Sequence, residues 1–132
     1  MKTNNIHIEF LDTIAIITLR GKIKADEIID TLGVLFKNPD YVSGCSIWDF
    51  SKALGESSYN EIRKIAQFAS HNRGERPRGR VAIIVKSILH FGLSRIYQSL
   101  TDNSPFDLEI FRSFDKALTW IKTAQSKALQ PQ

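Results

Sequence analysis

The side chains that could carry chemistry are few and scattered. Cys45 is the single cysteine of a 132-residue chain. It can form no internal disulfide and no multi-cysteine metal site. His7, His71 and His90 show no ligand spacing, so no metal site is expected. Asp49 ends a strand-like run, Ser46–Phe50, and ligand groups of open α/β sheets collect at strand ends. No histidine stands beside it to complete a nucleophile–base pair. Ser57 and Ser58 precede a helical pattern, and helix capping is their ordinary role. A phosphoserine there would gain from the helix N-terminus and add about −2 charge. Arg73, Arg76, Arg78 and Arg80 could clamp phosphates. They lack interleaved aromatics for base stacking and read as a solvated loop. No glycine-rich phosphate loop occurs, so no nucleotide cofactor is expected. Trp48, Phe91 and Tyr97 would line an apolar cleft if they met, with Gly92 at its mouth or at a close helix contact.

Composition narrows the classes further. The length is one domain's worth, enough to bury a core without staples. The formal charge is +4, but residues 1–66 carry net −1 and residues 67–132 net +5. His71–Arg80 alone accounts for +3. The excess is one loop rather than a basic face, which disfavours nucleic acid as a partner. The polar start Met1–Asn5 lacks a signal-peptide pattern. The apolar runs fall short of the roughly 20 residues that a membrane helix needs. A cytoplasmic protein without an integral membrane segment is expected.

The elements that must position these residues follow from periodicity. Ile6, Ile8 and Phe10 alternate as a strand, and a short connection at Leu11-Asp12 leads into a second strand, Thr13–Arg20. Asp26–Lys37 carries a helical apolar stripe. Ser46–Phe50 is a strand and Lys52–Ser57 a loop. Ser58 and Glu61 form a capping box for a second helix. After the loop at 73–80, Arg80–Val85 is a strand. Ser87 caps a helix with Leu89, Leu93, Ile96, Tyr97 and Leu100 inward. Asp107–Arg112 is the last strand. Ser113 caps the last helix, with Phe114, Ala117, Leu118 and Ile121 inward. Residues 1–125 make one domain, and 126–132 form a frayed tail.

The predicted architecture is α/β: a five-stranded mixed sheet in sequential order, strand 1 antiparallel, with four helices in the order β-β-α-β-α-β-α-β-α. Constant handedness places every helix on one face. The bare opposite face would then need a second copy of the chain or an apolar ligand to cover it.

Four stretches resemble the small SpoIIAA-like proteins, whose fold is shared with STAS domains and compared with CRAL–TRIO lipid-transfer domains. They are Ser46-Ile47-Trp48-Asp49-Phe50, the helix Glu61–Phe68, Arg80–Ser87 with Phe91–Tyr97 after it, and Ile110–Ile121. The resemblance covers about residues 5–122 and implies the same topology. It implies an interaction module that binds a protein partner; the bare face adds the expectation of a homodimer, and the missing acid–base–nucleophile constellation that of a non-enzymatic protein. The alternative is a binding domain for a small apolar molecule or lipid, in a cleft lined by Phe91, Gly92, Leu93 and Ile96. In STAS relatives a kinase phosphorylates a serine at the helix after the third strand. Here Ser57 and Ser58 sit at that element without the surrounding small residues, so phosphorylation does not carry over. The residues expected to face a ligand or partner are Trp48, Asp49, Ser57, Ser58, Phe91, Gly92 and Tyr97.

Overall fold

A computed structural model describes residues 5–55 and 57–129. The first two strands, β1 (Ile6–Leu11) and β2 (Ile14–Lys22), pair antiparallel from Ile6–Leu19 to Leu11–Ile14. Asp12 sits at φ 56° in the tight turn between them, a conformation that aspartate tolerates well. The remaining elements are α1 (Ala25–Lys37), β3 (Ser46–Leu54), α2 (Tyr59–Asn72), β4 (Gly79–Ile84), α3 (Ile88–Leu100), β5 (Phe106–Phe111) and α4 (Phe114–Leu129). The sheet order is β1-β2-β3-β4-β5, parallel from β2 onward. This is the predicted topology. The capping serines also sit where expected. Ser58 accepts from the Glu61 amide, Ser87 from the His90 amide and Ser113 from the Lys116 amide.

The expectation of a bare face is overturned. Helices α1, α2 and α3 are crossovers between sequential parallel strands, and their right-handedness puts them on one face. There Leu32, Leu35, Ile65 and Ala69 pack on Ala15, Ile17, Leu19 and Trp48. Helix α4 follows the last strand, so no crossover rule binds it. It folds onto the opposite face, where Ala117 and Ile121 are fully buried against Ile14, Ile47, Ala82 and Ile84. The β1–β2 side of that face, with the later part of β3, stays open. Phe114, expected inward, lies on a shallow groove there with Leu11, Thr18, Asp49 and Lys52.

Beyond shifts of one or two residues at strand and helix ends, three boundaries differ from the sequence reading. Strand β3 runs on to Leu54 where a loop was expected. Between Thr18–Asp49 and Arg20–Lys52 the β2–β3 register shifts, so β3 holds one extra residue. The extra residue breaks the alternation that a sequence reading relies on, and it turns Ala53 onto the same face as Ser46 and Trp48. His71 belongs to α2, not to a loop. Helix α4 continues to Leu129, past the end expected at residue 125; residues 130–132 lie outside the described residues.

The arginine segment is not a solvated loop. Arg76 donates through Nε to the Tyr41 carbonyl (2.6 Å) and through a terminal nitrogen to the Phe36 carbonyl (2.7 Å). It also bonds the Arg73 carbonyl and lies over the Tyr41 ring at 4.9 Å. Arg80 donates to the Trp120 carbonyl (2.8 Å) and stacks on that ring. Only Arg78 is solvated, paired with the equally exposed Asp107. The charges thus fasten α1, α2 and α4 to the loop. Arg76→Ala should lose about 2 kcal/mol, because hydrogen bonds made by a charged group to three carbonyls go together. Arg78→Ala should stay within about 0.5 kcal/mol. Urea midpoints of the two variants decide; equal shifts would contradict the difference in role.

Candidate functional site

A cavity of about 120 Å³ lies between the sheet and the α1–α3 layer. Its floor is built by alternate residues of the central strands: Trp48 and Phe50 from β3, Val81 and Ile83 from β4. Its roof comes from helical stripes. In α2 these are Ile62, Ile65, Ala69 and then Arg73 at the C-cap, at spacings of three and four that keep one face inward. In α3 they are His90, Leu93, Ser94 and Tyr97, again one face. Because both helices run antiparallel to the parallel strands, the cavity follows their length. Its outer end lies at the carboxyl edge of the sheet and its inner end at the amino edge.

The outer end is framed by Leu54, Gly55, Ser57 and His90. His90 Nε2 is 2.8 Å from the Gly55 carbonyl oxygen and ties the start of α3 to the segment after β3. Apolar side chains gather at this same edge. Ile88 is 85% exposed, Leu54 63% and Tyr59 56%, with Leu89 also exposed.

The inner end is polar. Ser46 accepts a hydrogen bond from the Trp48 indole (3.0 Å). Burial pushes the Tyr41 phenol up; a hydrogen bond with Ser46 and the charge of Arg73 partly offset this. Burial pushes Tyr97 up as well, and proximity to Tyr41 adds to it. Arg73 is almost wholly buried, and burial lowers its pKa, with Tyr41 opposing. The two phenols hold their protons more tightly in the folded state. The stability linked to them is fully present below the unfolded value of about 10 and is lost as pH rises beyond it. Tyrosinate absorbance should therefore appear in a step that coincides with alkaline unfolding, and Tyr97→Phe should move that unfolding to higher pH. Ionisation of every tyrosine well before unfolding would contradict it.

The predicted site residues divide. Trp48, Ser57 and Tyr97 line the cavity. Asp49 faces the opposite side of the sheet, in the groove under Phe114, and accepts from the Ser51 amide (2.9 Å). Ser58 is occupied as the α2 N-cap. Phe91 is exposed beneath Arg112, at 5.7 Å. Gly92 is exposed, with open space where a Cβ would stand, so close packing is not its reason. Of Phe91, Gly92, Leu93 and Ile96, Leu93 alone lines the cavity, beside Tyr97; the inward face of α3 also carries His90 and Ser94, leaving Leu89 exposed.

No family model matches the chain. No curated protein matches it either.

Sequence reasoning weighed Arg73 and His90 for other roles and missed Tyr41, Ser46 and Ser94; none of the five was assigned to the cavity. A signal for two of them was present. Arg73 continues the apolar stripe Ile62–Ile65–Ala69, and Ser94 interrupts the stripe of α3. A charged or hydroxyl residue in phase with a buried face marks a polar wall. Among the described residues, no three His, Cys, Asp or Glu side chains cluster to hold a metal, and no helix is long and apolar enough to cross a membrane.

Proposed function

We propose that the protein is a non-enzymatic binding domain for a small apolar ligand, held between the sheet and α1–α3. The cavity carries this reading. Protein interiors pack at crystal-like density, with few voids larger than a water. A space of about 120 Å³ forgoes the contacts that packed side chains would make across it. An occupant supplies them. The described lining offers no carboxylate and no thiol, which favours binding over catalysis. The exposed apolar rim at the outer end suits uptake of a poorly soluble molecule. The resemblance to SpoIIAA-like proteins, whose fold is compared with lipid-transfer domains, is in keeping with this. Calorimetric titration with 1-octanol, a neutral apolar probe, tests it. Saturable binding of one molecule per chain is expected; no heat beyond dilution rejects the reading.

A second reading is a STAS-like interaction module that forms a homodimer or docks a protein partner. The exposed side chains of Ile88, Leu89, Leu54 and Tyr59 at one edge favour it. It ranks second because α4 covers much of the face that self-association was expected to bury. Light scattering at twice the chain mass of 15.0 kDa would support the dimer, and Ile88→Glu should then yield monomers.

A further inference from the structure

The inner end of the cavity holds a cation without an anion. Arg73 is 4% exposed, and no carboxylate pairs with it among the described residues. A guanidinium has five N–H donors. One terminal nitrogen donates to the Arg76 carbonyl (3.3 Å) and the other to the Pro77 carbonyl (3.1 Å). The plane lies over the Phe106 ring at 5.8 Å, and the Nε donor has no acceptor among the described residues. The Tyr97 hydroxyl likewise has no hydrogen-bond partner there. No buried polar side-chain atom is sealed without a partner. These donors therefore front open space, and the space that both residues line is the cavity. Tyr41 stands close enough to feel the charge of Arg73 and the phenol of Tyr97.

We infer that the ligand is a carboxylic acid with a short apolar body, its carboxylate received by Arg73 and its body lying along Trp48, Ile65 and Leu93. This rests on the binding-domain reading above and names the ligand class. Carbonyl dipoles satisfy part of the guanidinium, but a buried charge gains most from an opposite charge with matched geometry. A carboxylate accepts from the free Nε edge and from the Tyr97 hydroxyl, and charge-assisted hydrogen bonds are the strong kind. Size limits the body. A cavity of about 150 Å³ takes benzene, so 120 Å³ encloses a ring or the first few carbons of a chain, and the end of an octyl chain reaches the open outer end. A longer tail would have to leave past Leu54.

The test compares octanoate with 1-octanol by calorimetric titration of the full chain. Octanoate should bind at least about tenfold more tightly, the worth of one charged hydrogen bond. Tyr97→Phe should weaken octanoate about threefold and leave octanol unchanged. Arg73→Met should bring octanoate down to the octanol level. Arg73 also holds the loop, so a variant that fails to fold leaves the wild-type comparison and Tyr97→Phe to decide. Equal affinities, or tighter octanol, overturn the carboxylate assignment and leave the binding domain standing. Binding of neither probe removes both.

Discussion

Ala69→Leu is expected to close the cavity, abolishing octanol and octanoate binding while raising stability by about 1 kcal/mol. Ala69 is 3% exposed and stands on the inward stripe of α2, between Ile65 and Arg73. Its methyl faces space, not a tightly packed wall. Three added carbons would occupy volume that a ligand's chain would otherwise take. Filling a void regains transfer free energy, at about 0.8 kcal/mol per buried methylene. Some of that gain is spent on adjusting neighbours, since added volume in a packed core carries strain. Affinity should fall by more than about a hundredfold, because the ligand and the leucine cannot share the site. Stability from urea midpoints and affinity from titration give opposite signs in this variant. A leucine that destabilises strongly and leaves binding intact would mean that the ligand sits elsewhere.

Gly79→Ala should cost about 3 kcal/mol, near the upper end for overpacking. A Cβ at Gly79 would stand 2.2 Å from the Gly44 oxygen and 2.4 Å from its carbonyl carbon. Both obstacles are backbone, so no rotamer change relieves the clash. Gly44 itself sits at φ +73°, a conformation suited to glycine. The two glycines let the chain enter β3 and β4 side by side, two residues before Ser46 pairs with Val81. Gly92 supplies the contrast. It is exposed in mid-helix with nothing within 4 Å of a built Cβ. Gly92→Ala should therefore raise stability by about 0.5–1 kcal/mol and leave ligand binding unchanged. Urea midpoints of the two variants should move in opposite directions. Shifts of the same sign would show that one of these glycine environments is wrongly assigned.

Local pattern carried much of the fold. Alternation at Ile6–Phe10, the helical stripe after Asp26, and the serines at 58, 87 and 113 each encode structure within a few residues. The strand order then follows from burial pattern, since the first and last strands are polar on one face and the second and fourth apolar on both, and handedness places the crossover helices. The site was less legible. Trp48 and Tyr97 were found because they lie on strongly patterned elements, and Ser57 because it adjoins the capping box of α2. Phe91, Gly92 and Asp49 were misplaced relative to the cavity because a turn of a helix, or one face of a strand, separates lining from exposure. The β3 bulge near Phe50 hid the strand's last four residues by breaking its period.

What the sequence by itself determined, then, is the succession of elements, their caps and the connection of the sheet, since each depends on neighbours in the chain. Three features were left to the tertiary structure. Helix α4 has no following strand, so only packing could decide which face it covers. Arg73 bonds the carbonyls of Arg76 and Pro77, three and four residues on, and Arg76 bonds back to Arg73, but the contacts that fasten other elements are distant. Arg76 and Arg80 find carbonyls and rings 35 to 40 residues away, which turns a charge run into fasteners. The cavity exists because three helices and two strands fail to close on one another around Ala69 and Ser94. That failure is a property of the packed whole, to which no single segment holds the key.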